Sequence, residues 1–383
     1  MVTHGGSNSE SSAARVAPQR AQRRRSARLA PWLAVAGLLA GSGCYYGQAA
    51  RGHMEIELKS RPVSRVMADP ATEDHLRERL ELSEQLLQFA EHELALPAAG
   101  AYRRYADLGR PFVVWNVFAA PEFSLQPKRW RYPLVGRLAY RGYFNEQRAR
   151  DLAAQLEAGG FDVLVGGVPA YSTLGVFDDP LLNTFIQRPE AGFAALLFHE
   201  LAHRRVFYHG DAAASEAFAV TVEREGTRRW LRAHRPAADQ LDYERRLDRA
   251  RQLQRAAAAT RAQLTRLYAD ARRDGGPPET WSDERRESVR KAKREQLDAL
   301  ADQRRRLSGG NGLRSAAGRL PAGELNNAHL IASATYHELV PGFDALLRHH
   351  DGDLKAFYRA AEQLKPLTPD QRRDWLHEMA GEH

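Results

Sequence analysis

The pentad His199-Glu200-Leu201-Ala202-His203 has the residue types and spacing of a metal-dependent hydrolase site. On a helix, residues four apart lie one turn above each other, so both imidazoles can bind one metal ion. The carboxylate of Glu200 flanks the same position, where it can hold a water molecule. The flanking residues predict a buried helix, namely Phe193, Leu196, Leu197, Phe198, Leu201 and Ala202. Buried polar groups without partners are costly, which favours a metal site.

A zinc hydrolase needs a third protein ligand and an open fourth position. His209, six residues after His203, fits the spacing of a metzincin site. Where that motif has a glycine for a sharp turn, this chain has Val206, whose branched side chain suits the turn poorly. The methionine turn of metzincins is also missing, since Met379 is the only methionine after position 67. His209 is therefore the weaker of two candidates.

Glu216 is the stronger candidate for the third ligand. A second helix is expected to start near Ser215 and to run through AFAVTVEREGTRRWL (217–231), with Gly226 and the Arg228-Arg229 pair marking its end. Such a helix-turn-helix return brings Glu216 back to the histidines. Glu223 lies two helical turns beyond Glu216, about 10 Å along the helix axis. It is either a hydrogen-bond partner of a metal ligand or a surface charge. The set His199, His203 and Glu216 predicts a gluzincin-type site with one Zn²⁺ per chain. Glu200 is then the general base.

The first 43 residues are predicted to be a lipoprotein signal peptide. Six arginines precede Leu29, and the apolar run from Leu29 to Ala40 is too short to span a membrane. Cys44, the single cysteine of the chain, stands where such a peptide is cleaved and the new N-terminus is lipidated. We therefore expect an exported protein, without an intramolecular disulfide, that is anchored through Cys44. Tyr45, rather than aspartate, follows Cys44. Under the Gram-negative sorting rule for lipoproteins, this favours the outer membrane, facing the periplasm.

The charge balance does not support nucleic-acid binding. The chain has 56 basic and 48 acidic residues, but six of the basic and one of the acidic residues precede Leu29. The rest of the chain has 50 against 47, a net charge near +3. The expected partners are a peptide substrate and, through the lipid anchor, a membrane, and no nucleic acid. The oligomeric state is left open.

The patterning predicts an α+β, mostly helical fold: a zincin-like small mixed sheet, the active-site helix and an inserted long helical hairpin. Helices are expected over 73–95 and 145–158, and strands over 112–118, 133–140 and 161–168. We expect a catalytic core over 44–231, the hairpin over 232–310, and a helical part over 311–383 that completes the core. The hairpin's arginines are mixed with acids along a thin apolar stripe, so it is expected to project from the body with solvated faces.

Seven blocks carry a resemblance to a known family, and they occur in the family's order. The blocks are YYGQAARGH (45–53), YRRYADLGRPFVVWNVFAAPEFS (102–124), YRGYF (140–144), GGVPAYSTLGVFDDPLLNTF (166–185), FHELAH (198–203), EAFAVTVEREG (216–226) and NNAHLIASATYHELVPGF (326–343). From Tyr45 to its end the chain thereby resembles a bacterial family of predicted aminopeptidases, described as zinc-dependent lipoproteins. The resemblance implies aminopeptidase activity. One departure is Ser215, where the family pattern has asparagine before the ligand glutamate.

Several roles stay open among the remaining residues. The oxyanion donor is sought among Tyr171, His329, Tyr336 and His337, with Tyr336 taken as catalytic and Tyr171 as substrate-binding. The carboxylate that binds a free ammonium group is sought among Glu122, Asp178 and Asp179. Residues 166–175 (GGVPAYSTLG) form either an edge strand that pairs with an extended peptide or an ordinary loop. An alternative function is a lipid-anchored scaffolding or binding protein with an inactive zincin fold, although the intact pentad favours catalysis.

Overall fold

Helices make up most of the fold in a computed structural model of the chain, and short strands form three small sheets. The structure describes residues 51–98, 100–132, 136–170, 179–308, 325–334 and 338–381. The predicted signal peptide, Cys44, Tyr171, Asp178, Tyr336 and His337 lie outside these residues. The expected class, α+β and mostly helical with small sheets, is confirmed.

The eight strands of the described residues are arranged as three sheets. The first sheet has the order β1-β2-β8, with β1 (Arg61–Pro62) antiparallel to β2 (Arg104–Ala106) and β2 parallel to β8 (Leu181–Leu182). The second sheet is antiparallel with the order β6-β3-β7, from β3 (Val114–Pro121), β6 (Tyr140–Tyr143) and β7 (Phe161–Val168). The third pairs β4 (Trp130–Tyr132) with β5 (Gly136–Leu138).

Thirteen helices occur in the described residues, together with a 3₁₀ turn at Pro278–Thr280. Those before the hairpin are α1 (51–59), α2 (Val63–Ala68), α3 (Asp74–His92), α4 (Glu146–Ala158), α5 (Asn183–Ile186), α6 (Glu190–Arg205) and α7 (Ala212–His234). The others are α8 (Ala237–Gly275), α9 (Asp283–Ser308), α10 (Asn327–Ala334), α11 (Val340–His349), α12 (Leu354–Gln363) and α13 (Pro369–Ala380). None of the described helices combines the length and apolarity needed to cross a membrane.

The elements ahead of the pentad agree closely with the sequence pattern. Strand β7 has the predicted bounds, and α4 begins one residue after Asn145, whose side chain accepts a hydrogen bond from the N–H of Arg148. Strand β3 lies two residues later than its predicted start. The single strand predicted over 133–140 is wrong, because the described part of this range belongs to β5 and the start of β6.

Helices α6 and α7 form an antiparallel pair around the pentad. Helix α6 ends at Arg205, because Val206 adopts an extended backbone (φ −137°, ψ 125°). Helix α7 begins at Ala212, where the side chain of Asp211 accepts a hydrogen bond from Ala214 N–H. The turn between the two helices is therefore only six residues long, 206–211.

Helix α7 continues to His234, beyond Gly226 and the Arg228-Arg229 pair that were predicted to mark its end. A Cβ at position 226 would lie 2.7 Å from Cδ1 of Leu94 and 3.0 Å from Cδ2 of Phe198. Gly226 is thus a point of close approach between α7, α6 and the segment after α3, and not a helix end.

The main hydrophobic core lies around α6 and α7 and includes the C-terminal helices. Phe193 and Phe198 of α6 are fully buried, as are Phe218 of α7, Phe343 of α11 and Phe357 of α12. The rings of Phe218 and Phe357 stack with centroids 5.4 Å apart. Residues from both ends of the described chain thus enclose the helix pair that carries the pentad.

The hairpin of α8 and α9 packs against the body, so the expected projecting arm is wrong. A second hydrophobic cluster joins Leu264, Tyr268, Trp281 and Leu297 of the hairpin region to Phe123 and Leu330. The thin apolar stripe of the hairpin packs against Phe123 and Leu330, which are distant in sequence and complete this cluster.

A buried polar network fixes the hairpin to the second sheet. Lys293 of α9, 7% exposed, donates from Nζ to the carboxylate of Asp162 at 2.7 Å and to the carbonyl of Glu122 at 2.9 Å. Asn327 is fully buried and donates to the carbonyls of Pro121, Glu122 and Ser124, while its Oδ1 accepts from the hydroxyl of Tyr268. Such directional bonds give the hairpin one defined position.

Candidate metal centre

Three side chains from α6 and α7 converge on one point. The potential ligand atoms of His199, His203 and Glu216 all lie within 4.8 Å of one another. Nε2 of His203 is 3.2 Å from Nε2 of His199. Oε2 of Glu216 is 3.3 Å from His199 Nε2, and its Oε1 is 3.7 Å from His203 Nε2. Ligands about 2.1 Å from a tetrahedral zinc ion are roughly 3.4 Å apart, so the donor atoms and their spacing fit zinc.

The electrostatics of these groups also suit a cation. Burial is the largest influence on the pKa of His199 and lowers it, but Glu216 and Glu223 together outweigh burial and raise that pKa well above its ordinary value. Burial, followed by the neighbouring His199, lowers the pKa of His203 to about 4. The carboxylates around His199 therefore favour positive charge at this point, which is the charge that a bound metal ion would bring.

Glu223 is a hydrogen-bond partner of His199. Its Oε2 lies 3.0 Å from His199 Nδ1, and its side chain is 20% exposed. In this contact Nδ1–H donates to the carboxylate, so Nε2 is the ring nitrogen that faces His203 and Glu216. Of the two roles that the sequence leaves open for Glu223, the structure favours the first, since Glu223 is a hydrogen-bond partner of His199.

Ser215 stabilises the turn that precedes Glu216. Its hydroxyl oxygen accepts a hydrogen bond from the N–H of Tyr208 at 3.0 Å and lies 3.0 Å from the carbonyl of Asp211, to which it can donate. Since Ser215 is only 1% exposed, its hydroxyl is enclosed within the turn. Position 215 thus contributes to the connection between the helices.

Tyr102 is a residue near Glu200 that the sequence analysis missed. It is 5% exposed, has a left-handed backbone (φ 58°), and donates its N–H to the carbonyl of Asp179 at 2.8 Å. Burial, then the charges of Glu200 and Asp179, raise the pKa of Tyr102 well above its ordinary value, against the opposing effect of Arg204. Its hydroxyl therefore stays protonated and can donate a hydrogen bond. The available signal was that a family block begins at this residue.

The other candidates are placed differently. His209 is exposed, with its ring 5.2 Å from that of Phe207, and is not in the metal-holding group found among the described residues. His329 lies on α10, where its Nδ1 contacts Oδ1 of Asn326 at 2.8 Å. Glu122 forms an ion pair with Arg290 at 2.7 Å, so it anchors the hairpin. Asp179 is buried beside Tyr102.

Comparisons with known proteins give one match. The sequence model of a protein family described as "Putative aminopeptidase" matches residues 44–376. No curated protein and no solved structure matched the chain.

Proposed function

The chain belongs to this aminopeptidase family, and we propose that it is a zinc-dependent peptidase that removes residues from the N-termini of peptides. The family assignment supports a peptidase. The zinc-dependent part rests on the convergence of His199, His203 and Glu216 at the spacing of zinc ligands. Glu200 directly follows His199 in the sequence.

In this proposal His199, His203 and Glu216 hold the metal, and Glu223 keeps the imidazole of His199 in its binding orientation. Zinc bound there supplies a Lewis acid, which polarises a carbonyl group and acidifies water. Glu200 accepts the proton of the attacking water and passes it to the amine that leaves. The protonated hydroxyl of Tyr102 donates to the developing oxyanion.

The edge of the second sheet supports an extended peptide as substrate. Strand β7 is an outer strand, and the carbonyl of Val168 accepts from Val113 N–H on the β3 side. Since backbone groups alternate along a strand, those of Val165 and Gly167 are directed away from β3. Val168 packs against the core that contains α6. We infer that an extended peptide pairs with Val165 and Gly167 of β7. Gly167 belongs to the predicted segment 166–175, and Val165 immediately precedes it.

The location is also a proposal, and it rests on residues 1–45 of the sequence. We infer that the protein is exported and held at the outer membrane by a lipid on Cys44, so that its site faces the periplasm. In the native host, Cys44→Ala is expected to release the protein from the membrane fraction.

Measuring the zinc bound per chain tests which residues bind the metal. Purified protein is expected to hold about one zinc per chain, as a three-ligand site predicts. Glu216→Ala should lose the zinc and His209→Ala should keep it, because His209 is exposed and outside the group. Loss with His209 in place of Glu216 would move the site to the metzincin type. A parent protein that takes up no zinc would refute the proposed centre.

Glu200→Gln separates the enzyme from a scaffold. The amide cannot accept the proton of water, so hydrolysis of aminoacyl and peptide substrates is expected to fall at least about 100-fold with zinc retained. The biological phenotype should be lost along with hydrolysis. If the phenotype survives in this variant, the protein acts through binding.

A further inference from the structure

The six-residue turn between α6 and α7 determines where Glu216 lies relative to the histidines. His203 is two residues before the end of α6, and Glu216 is the fifth residue of α7. Because each helical residue rotates the side chain by about 100°, a shift of one residue at the start of α7 would direct Glu216 away from the ion. The structure of this turn therefore sets the geometry of the metal centre.

Asp211 holds the start of α7 with one carboxylate oxygen and the C-terminal helix with the other. Its Oδ1 accepts from the N–H of Ala214 at 3.1 Å, which caps α7. Its Oδ2 accepts from Nη1 of Arg372 on α13. The side chains of Arg372 and Asp211 are only 3% and 7% exposed, so this ion pair lies inside the protein.

Arg372 is itself held in a fixed position. Its Nε donates to the carbonyl of Leu364 at 3.1 Å, and its Nη2 donates to that of Leu367 at 2.7 Å. Its guanidinium also lies over the ring of Tyr208, 4.4 Å from the centroid. Tyr208 belongs to the same turn, and its hydroxyl donates to the carbonyl of Ala361 at 2.8 Å. The turn is thus fastened at two residues to the segment 361–372.

A buried ion pair is a weak source of stability, since apolar residues of similar volume often stabilise a fold at least as well. Its directional bonds can instead fix one arrangement among several that are similarly compact. A metal centre needs its ligands within about 0.5 Å of their binding positions. The Asp211–Arg372 pair lies at the connection between the helix that carries the two histidines and the helix that carries Glu216.

We propose that Arg372 is a positioning residue of the metal centre, which acts through Asp211 and the turn 206–211 to place Glu216. This inference rests on the proposed zinc site. It predicts that loss of the pair weakens and reshapes metal binding in a protein that remains folded.

The test uses the full chain with Arg372→Met, which keeps an apolar stem, and with Asp211→Asn, which keeps the oxygen that caps α7. Arg373→Met is the matched control, since Arg373 is the next residue of α13 and pairs with exposed Asp370. Zinc affinity is measured by competition with a chelator, and the cobalt-substituted protein gives an absorption spectrum that reports ligand geometry. We expect zinc to bind about 10-fold to 100-fold more weakly in the first two variants, with an altered cobalt spectrum, and no change in the control.

Hydrogen exchange of the metal-free protein gives a readout that does not need zinc. In Arg372→Met, amides of 206–216 should exchange at least about 10-fold faster, while those in the middle of α6 keep their parental rates. Parental zinc affinity and cobalt spectrum in both variants would overturn the inference, and so would unchanged exchange at the turn. If Arg372→Met does not fold, Asp211→Asn decides alone. If the parent binds no zinc, the proposed function fails, and exchange still decides whether Arg372 holds the turn.

Discussion

Glu223 determines which nitrogen of His199 faces the metal position. Its carboxylate, 3.0 Å from Nδ1, both orients the ring and increases the electron density available at Nε2. It comes from α7, as Glu216 does, so in the proposed centre one helix supplies a ligand and the partner of another ligand.

Glu223→Gln is expected to weaken zinc binding about 10-fold to 100-fold, because the amide keeps a hydrogen-bond acceptor but removes the charge. Glu225→Gln serves as the control, since Glu225 pairs with Arg229 at 2.8 Å and not with a ligand. Competition with a chelator measures both affinities. Equal affinities in the two variants would show that the charge of Glu223 does not support the metal.

Tyr102→Phe tests the hydroxyl whose pKa the charge of Glu200 raises. Removal of a single oxyanion donor is expected to lower kcat about 100-fold and to change KM little. Tyr105→Phe is the matched control, because burial, Asp107 and Glu73 raise the pKa of Tyr105 to about 12, with no contribution from Glu200. The measurement is steady-state hydrolysis of an aminoacyl substrate. If both variants have parental kcat, the oxyanion donor lies elsewhere.

At the scale of elements, the α6–α7 pair is fastened at both of its ends. Near the turn, Asp211 binds Arg372. At the far end, Glu190 of α6 accepts hydrogen bonds from the indole of Trp230 at 2.8 Å and from Nε of Arg235 at 2.7 Å. Between these ends the two helices meet closely at Gly226. The ligands thus lie within a helix pair whose spacing is fixed from several directions.

Gly226→Ala is expected to destabilise the fold by about 1–3 kcal/mol, because the new methyl group overlaps buried Leu94 and Phe198. Gly192→Ala, in α6, should instead stabilise it by about 0.5–1 kcal/mol, since the added Cβ meets only Cβ of Arg188 at 3.9 Å. Urea unfolding of both variants provides the comparison. A gain in stability at both positions would contradict the close approach at Gly226.

Local patterns predicted the elements whose signals are local. The histidine spacing placed both imidazoles on one helix face, and the strand predicted over 161–168 has the bounds of β7. The helix end was misplaced because the sequence alone does not distinguish a glycine that allows close packing, as Gly226 does, from one that ends a helix. Tyr102 and Arg372 act across gaps of about one hundred residues or more, which no local pattern reports. The hairpin was misplaced because Phe123 and Leu330 come from other elements.

For the molecule as a whole, His329 is expected to cause sensitivity to acid. Burial, followed by the charge of Arg304, lowers the pKa of His329 to about 4. In the unfolded chain His329 takes up a proton near pH 6.5, whereas in the folded protein it stays neutral down to about pH 4. The folded state therefore loses stability as the pH falls from about 6.5 towards 4. The full shift corresponds to roughly 3 kcal/mol.

His329→Gln should remove this part of the acid sensitivity, and exposed His349→Gln should leave it in place. Urea unfolding at pH 6.5 and 4.5, in the presence of a chelator, measures the difference. Equal losses on acidification in the parent and in His329→Gln would contradict a buried neutral histidine at this position.

The core around α6 and α7 includes Phe343, Phe357 and Leu376, which are synthesised long after the pentad at 199–203. A chain released early from the ribosome, before residue 343, would carry the complete HELAH pentad. It would lack the ring that stacks on Phe218 and the guanidinium that binds Asp211. Truncated copies are therefore expected not to bind zinc, because the proposed metal centre needs residues as far along the chain as Arg372 for its assembly.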